Sequence, residues 1–264
     1  MIRLRQIAPG VLVATAELYV TTTTVLTGRG SGCLVIDPAV TVAEISALAA
    51  DLAEAGLHAE AGFATHPHWD HLLWSRSLGD APRYATPRAV AAATAQRGSM
   101  LGELEREAPG HDLSLFARLT PLEPAAAAIS WYGPEARLVA HAGHASGHCA
   151  LFLPVTGTLV AGDMCSDIEI PLLDTDRADP VGDYRTGLQR LAALAGVRQV
   201  VPGHGSVGDA AEFRRRIAAD AAYLDSLERG AQAADPRLAV GWLRRGHDRQ
   251  RSLLHPDAPP AGHR

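Results

Sequence analysis

The sequence predicts an α/β protein built as a sandwich of two similar halves, and two observations support this prediction. Short apolar runs rich in branched side chains, typical of buried strands, recur along the chain. Segments with apolar residues at helical spacing, each with start and stop signals, alternate with those runs. A chain of 264 residues that is 47% hydrophobic and 20% charged can bury one sizeable core. One domain is therefore the simplest expectation.

The first half of the predicted sandwich contains four strands and one helix. The strands are expected at residues 11–14, 19–26, 33–36 and 61–65. Thr41 and Glu44 form a capping-box pattern, which predicts that a helix begins there. Its apolar positions recur at helical spacing, at Val42, Ile45, Leu48 and Leu52. Gly56 predicts where the helix ends.

Residues 72–129 separate the two halves and have the least regular pattern. Thr86 followed by Pro87 is typical of a helix N-cap and first helical position, so we expect a helix to about residue 97. A second helical piece is expected at residues 100–107.

The second half repeats the alternation of strands and helices. Strands are expected at residues 137–141, 148–153, 158–161 and 198–201. Asp179 with Pro180 predicts a helix that runs to about residue 194, and Asp209 with Glu212 predicts another that ends near Gly230.

The domain is therefore expected to span residues 1–230, with 231–264 as a C-terminal extension whose end is flexible. Within the extension, residues 238–243 are predicted to pack as a short piece. His247, His255 and His263 are interpreted as solvent-exposed residues.

Composition and charge exclude several classes of partner. The net charge of −5 argues against a nucleic-acid partner, which needs a basic face. No apolar run approaches the roughly 20 residues that cross a bilayer, and no apolar segment of the signal-peptide type follows the N-terminus. Three cysteines cannot form a disulfide framework. We expect a cytoplasmic protein that acts on a small molecule.

The most informative stretch is Thr65-His66-Pro67-His68-Trp69-Asp70-His71, directly after a predicted buried strand. Four potential metal ligands fall within six residues in the pattern H-x-H-x-D-H. Imidazoles and a carboxylate are preferred ligands of zinc, iron and manganese. Pro67 disfavours a helix at this point, so the side chains are predicted to project from a loop at a strand end.

Three further motifs follow in order along the chain: Gly143-His144-Ala145-Ser146-Gly147-His148, Gly162-Asp163, and Pro202-Gly203-His204-Gly205. Together with the first stretch they resemble the signature of the metallo-β-lactamase-fold hydrolases, which include glyoxalase II, metal-dependent lactonases and many thioesterases. The resemblance covers residues 65–205. It implies a four-layer αβ/βα sandwich.

The same resemblance implies a binuclear metal site. His66, His68 and His144 would hold one divalent ion, and Asp70, His71 and His204 would hold the other. Asp163 would bridge both. Zinc is the expected metal, with iron or manganese as alternatives.

Such a pair of ions would supply a bridging hydroxide that attacks a carbonyl group. Asp70 could also relay a proton to the leaving group. His148 is expected to orient neighbouring ligands rather than to bind metal. Cys149 and Cys165 are interpreted as core residues or as supports of the site.

The substrate class stays open between an ester, a thioester, a lactone and a cyclic amide. Metal-dependent lactonases place a tyrosine soon after the bridging aspartate, where this chain has Met164-Cys165-Ser166. Apolar residues near the motifs or in the central insert could line a pocket or belong to the core: Trp69, Trp74, Met100, Leu101, Phe116, Met164, Ile168 and Ile170.

Other functions on the same fold remain as alternatives. A mononuclear iron dioxygenase acting on a sulfur compound would use only His, His and Asp ligands. A thioester cyclase or releasing enzyme would use the same carbonyl chemistry. A binding module is the third class, and it has no need for a complete ligand set.

Overall fold

The computed structural model describes residues 3–231 and 233–256. Within them the chain forms two β-sheets, numbered here in chain order. The first sheet has the order β1-β2-β3-β4-β5-β6-β7, with strands β1 (Arg5–Ala8), β2 (Val11–Thr15), β3 (Thr22–Thr27), β4 (Gly32–Ile36), β5 (His58–Phe63), β6 (Arg83–Ala85) and β7 (Thr120–Pro121). The second has the order β12-β11-β10-β9-β8, with strands β8 (Arg137–Ala140), β9 (Cys149–Leu153), β10 (Thr158–Gly162), β11 (Gln199–Pro202) and β12 (Gly208–Asp209).

Five α-helices cover the outer faces of the sheets. They are α1 (Val42–Glu54), α2 (Pro87–Glu107), α3 (Pro180–Ala192), α4 (Ala210–Glu228) and α5 (Gly241–Leu254). Helices α1 and α2 contribute to a core on the first sheet, and α3, α4 and α5 contribute to a core on the second. None of these helices is long and apolar enough to cross a bilayer.

Strand residues alternate between the cores, as the two-residue period of a strand requires. In β4, Cys33 and Val35 face the helices while Leu34 and Ile36 face the other sheet. In β9, Leu151 belongs to the core between the sheets. The layers therefore run helix, sheet, sheet, helix. The predicted αβ/βα sandwich is confirmed.

The N-terminal signals of helices α1 to α4 were predicted correctly. Thr41 accepts a hydrogen bond from the Glu44 N–H, and Glu44 accepts one from the Thr41 N–H, so α1 begins with a capping box. The side-chain oxygens of Thr86, Asp179 and Asp209 cap α2, α3 and α4, because each accepts a hydrogen bond from a backbone N–H of the first turn.

The predicted break near residue 98 was wrong, because α2 is one continuous helix. Gly98 and Ser99 lie inside it. A glycine in a helix interior costs about 1 kcal/mol relative to alanine. Burial along one face outweighs that cost, since Ala93, Met100 and Leu104 all pack in the core of the first sheet.

The chain also departs from the predicted strand at residues 19–26. Leu18–Val20 forms a short 3-10 turn with positive φ at Tyr19 (57°) and Val20 (54°), and β3 begins only at Thr22. This turn directs the carbonyls of Tyr19 and Val20 toward a loop of the second sheet. The Val20 carbonyl accepts from the Gly205 N–H at 3.0 Å.

The C-terminal segment packs more extensively than predicted. Beyond a 3-10 turn at Pro236–Ala239, it forms the 14-residue helix α5, and Leu238 and Leu243 join the core of the second sheet. His247 was wrongly predicted to be exposed: it is buried, with Nδ1 3.0 Å from the Tyr223 hydroxyl. His255 is partly buried because its Nε2 reaches the Leu227 carbonyl. His263 lies outside the described residues.

Candidate metal centre

All four sequence motifs meet at one edge of the sandwich. The pairs β4–β5 and β10–β11 are parallel, so their carboxyl ends lie at the same edge of their sheets. The first motif follows β5, Asp163 follows β10 and His204 follows β11. The loop between β8 and β9 brings His144 to the same place.

Backbone hydrogen bonds join the two sheets beneath the site. The Cys149 N–H donates to the Thr65 carbonyl at 2.8 Å, and the Thr22 N–H donates to the Gly203 carbonyl at 2.7 Å. The Gly203 N–H donates to the Gly162 carbonyl at 2.6 Å. The ligand-bearing loops are therefore held by the sandwich itself and not by side chains alone.

The first group of candidate ligands comprises His66, His68, His144 and Asp163. His68 Nδ1 lies 3.1 Å from His66 Nε2 and 3.0 Å from His144 Nε2. Asp163 Oδ2 lies 3.3 Å from the Nε2 atoms of both His66 and His144. The edge of a tetrahedron around a zinc ion with ordinary zinc–nitrogen bonds is about 3.3 Å. These four atoms thus fit one tetrahedral ion.

The second group comprises Asp70, His71 and His204, with Asp163 beside it. The Nε2 atoms of His71 and His204 are 3.3 Å apart, and Asp70 Oδ2 lies 3.4 and 3.3 Å from them. Asp163 reaches this group too, with Oδ1 3.3 Å from His71 and Oδ2 3.3 Å from His204. The structure therefore brings all seven sequence-predicted ligands together, with Asp163 shared between both groups.

Hydrogen bonds behind the rings fix which nitrogen faces the centre. The Nδ1 atoms of His144 and His204 lie 3.0 Å from the carbonyls of Leu172 and Tyr19. A carbonyl can only accept, so each Nδ1 carries the proton and donates it. Nε2 is consequently the nitrogen of each ring that faces the centre and can bind a metal.

Asp37 does the same for the rings of the first motif. His71 Nδ1 lies 3.0 Å from Asp37 Oδ2. Thr65 donates its N–H and its hydroxyl to the same carboxylate at 2.9 and 2.6 Å. With its proton committed, the Thr65 oxygen accepts from His66 Nδ1 at 2.9 Å. One buried carboxylate thus orients a ligand of each group.

Asp37 was missed at the level of sequence, although a signal for it existed. The residue directly follows β4, the parallel neighbour of β5, so it must lie beside the first motif. Its backbone has a positive φ of 47°. That conformation is costly for non-glycine residues, and such strain concentrates at functional sites. His144 (φ 72°), Cys165 (φ 58°), Tyr19 and Val20 share it around the same site.

His148 supports the centre without facing it. Its Nε2 accepts a hydrogen bond from the Asp163 N–H at 3.1 Å, and its ring stacks on His66 with centroids 5.0 Å apart. His141 stacks on the other face at 4.5 Å. Burial is the main reason that the pKa of His148 lies well below its ordinary value. A neutral ring is the form that can accept from a backbone amide.

The two groups differ in charge state when no metal is bound. Burial lowers the pKa of His68 to about 3 and that of His66 well below its ordinary value. For His71 and His204, burial acts in the same direction, but nearby carboxylates, Asp163 above all, outweigh it and raise both pKa values well above the ordinary range. The rings conversely hold the pKa of Asp163 well below its usual value.

Two glycines allow the close approach of the loops. A Cβ on Gly203 would lie 1.9 Å from Asp163 Oδ1, and one on Gly162 would lie 2.5 Å from His148 Nε2. Neither position has room for a side chain. These contacts give a physical reason for the glycines before Asp163 and His204.

The cysteines do not reach the centre. Cys149 is buried between the sheets, and Cys165 is buried in the core of the second sheet. Burial raises the pKa of the Cys149 thiol to about 12. Both are core residues.

A cavity of about 810 Å³ opens over the ligands and is bounded by α2, the loops after β8 and β10, and α5. Trp69 and Met100 line it, whereas Trp74, Phe116, Met164 and Ile170 are core residues. Leu101 and Ile168 are partly buried and lie outside the lining. Most of the other lining residues were missed at the level of sequence, among them Tyr19, Glu169 and Trp242.

Comparison with known proteins agrees with this geometry. A sequence model of the metallo-β-lactamase superfamily matches residues 17–224. The chain belongs to the metallo-β-lactamase superfamily. Comparison with curated protein sequences finds no match.

Solved structures resemble this member of the superfamily in fold. A β-lactamase domain protein from Burkholderia ambifaria aligns with a TM-score of 0.66 at 20% identity, over 86% of this chain and 74% of that one. A metallo-β-lactamase family protein from Thermus thermophilus aligns with 0.62 at 24%, over 85% and 83%. A metallo-β-lactamase from Pontibacter korlensis aligns with 0.60 at 16%, over 83% and 98%.

Proposed function

We propose that this protein is a binuclear metal-dependent hydrolase that cleaves an ester, thioester, lactone or cyclic amide. The observation that carries the proposal is the convergence of lone pairs on two neighbouring points that share Asp163. Structural zinc ions each have four protein ligands of their own. Here seven candidate ligands would serve two ions, with Asp163 shared between them. This pair of sites opens onto a cavity that can admit a substrate.

His66, His68 and His144 would hold one divalent ion, Asp70, His71 and His204 the other, and Asp163 both. Zinc suits a set of five imidazoles and two carboxylates. When bound, two such ions supply hydroxide at neutral pH and polarise a carbonyl oxygen.

The chain itself would contribute orientation and proton transfer. Asp37 and the carbonyls of Leu172 and Tyr19 keep the ligand rings in the metal-binding tautomer. Asp70 lines the cavity, so its carboxylate could carry a proton to the leaving group. Met164 and Cys165 are buried in the core, so neither side chain can take the role of the lactonase tyrosine.

The test is turnover of uncharged members of the four substrate classes by protein stripped with a chelator and then reloaded with zinc. We expect activity to vanish on stripping and return on reloading, equally in air and without oxygen. Asp70→Asn should reduce kcat with the protein still folded. Turnover that requires iron and consumes oxygen would instead support a dioxygenase and overturn the proposal.

A further inference from the structure

The cavity above the proposed metal centre has an acidic lining. Beyond the ligands it holds four carboxylates: Glu103, Glu169, Asp174 and Asp176. No arginine is among the residues that line it, and the chain has no lysine. An anionic substrate group would therefore find no arginine or lysine side chain in this part of the described structure.

These carboxylates also lack the partners that acidic residues have elsewhere on the surface. Asp112 pairs with Arg76, Glu135 with Arg137, and Glu212 with Arg215. Among residues 3–231 and 233–256, by contrast, none of the four cavity carboxylates lies within ion-pairing distance of an arginine. Glu169 differs from the other three, because it lies beside Asp163 and the cationic ring of His204. The two rim carboxylates, Glu103 and Asp176, are the ones that no described arginine neutralises in an ion pair.

Bound metal would not reverse this charge. Asp70 and Asp163 already offset much of the positive charge of two divalent ions, since both carboxylates would be ligands. Glu103 on α2 and Asp176 in the loop after β10 are exposed at the cavity rim, away from the ligand cluster.

Aromatic rings line the same cavity. Trp242 projects from the first turn of α5 and is 45% exposed, and Tyr19 is 40% exposed. The Tyr19 ring meets Trp69 edge to face, with centroids 6.1 Å apart. Large exposed rings beside unpaired carboxylates are the chemistry that recognises an alkylammonium group, through cation–π contact and charge attraction.

We propose that the substrate carries an alkylammonium group on the part that extends from the scissile bond toward Trp242 and the rim carboxylates. This inference rests on the proposed hydrolase function, whose substrate class it narrows. It disfavours substrates whose non-reacting part is anionic, for which electrostatic complementarity is lacking.

The experiment has a binding arm and a turnover arm, both on the zinc-loaded full chain. Tryptophan fluorescence titrations compare choline with its uncharged isostere 3,3-dimethylbutan-1-ol. Hydrolysis assays compare thioacetates of 2-(trimethylammonio)ethanethiol, of its 3,3-dimethylbutyl isostere and of 2-sulfonatoethanethiol. We expect the cation to be favoured about tenfold over the isostere in both arms, with the sulfonate slowest.

The double variant Glu103→Gln/Asp176→Asn should reduce that preference to about threefold, through a lower rate on the ammonium thioester and weaker choline binding. Glu105→Gln is the matched control, because Glu105 is exposed on the same helix but lies outside the cavity lining. It should leave the preference intact.

The two arms separate the two proposals. Equal binding of choline and its isostere, or faster cleavage of the sulfonate, would overturn the ammonium inference while turnover itself upheld the hydrolase. Preferential choline binding without hydrolysis of any thioester, lactone, ester or cyclic amide would overturn the hydrolase proposal, although the cavity would still bind an ammonium group.

Discussion

The two candidate ligand groups contain similar residues, yet their environments shift the pKa values of their histidines in opposite directions. His66 and His68 have pKa values pushed down, chiefly by burial. His71 and His204 are buried as well, but their carboxylate neighbours push the pKa values up. The comparison teaches that the position of carboxylates, and not burial, decides whether a metal ion must compete with protons.

The largest expected effect comes from removing the one residue that the two groups share. Asp163→Ala should abolish binding at both positions, because its oxygens lie 3.3 Å from ring nitrogens of each group. The loss of zinc affinity should exceed the roughly 10–100-fold typical of residues that only support a ligand. Elemental analysis of the purified variant checks this, and retention of a full metal complement would contradict it.

Gly203→Ala should have a comparable effect, although it replaces no candidate ligand. The new Cβ would lie 1.9 Å from Asp163 Oδ1, so the shared carboxylate must move. We expect a lower Tm and loss of zinc, measured by thermal unfolding and elemental analysis. Gly98→Ala is the control, since nothing lies within 4 Å of its Cβ and helix α2 should gain about 0.5–1 kcal/mol.

The pH dependence of metal binding should separate the two groups. His71 and His204 have folded-state pKa values above the unfolded value of about 6.5, so their pairing with Asp163 stabilises the metal-free protein below pH 6.5 and is lost as pH rises through the folded pKa values. A metal ion must displace those protons. Affinity at the Asp70–His71–His204 group should therefore fall by up to about a hundredfold per pH unit on acidification.

His66 and His68 are already neutral over the same range. Their group should keep its ion when the other group loses one. Equilibrium dialysis against buffered zinc at pH 8, 7 and 6 should show the occupancy fall from two toward one. Simultaneous loss of both ions would refute the distinction.

Asp37→Asn should have the smallest of these effects, and it should lower zinc affinity unequally at the two ligand groups. The carboxylate contacts His71 directly but reaches His66 only through Thr65. We expect zinc affinity to fall about 10–100-fold at the Asp70–His71–His204 group and less at the other. Asp80→Asn, at an exposed loop position, is the control. An equal fall at both positions would show that Asp37 acts through general stability.

The sequence predicted the candidate ligands that the structure brings together, but not what surrounds them. His66 to His71 form one short motif, and the resemblance to a known family added His144, Asp163 and His204. Asp37 acts on Thr65 from 28 residues away, through the pairing of β4 with β5. Such a contact depends on tertiary structure.

The residues that line the cavity could not be predicted from local sequence patterns either. Trp242 lies in a helix that is polar and rich in arginine overall, in a segment that was predicted only as a short piece. Packing of Leu243 and His247 against the second sheet's helices brings it to the cavity. The continuous helix α2 likewise depends on burial that a single sequence does not reveal.

The most direct test of a binuclear centre is zinc content per chain for the wild type and for variants of each group. We expect close to two equivalents in the wild type. His68→Ala and His204→Ala should each fall toward one, and only the protein that keeps the His66–His68–His144 group should hold its ion at pH 6. One equivalent in the wild type, unchanged by His204→Ala, would contradict a binuclear centre.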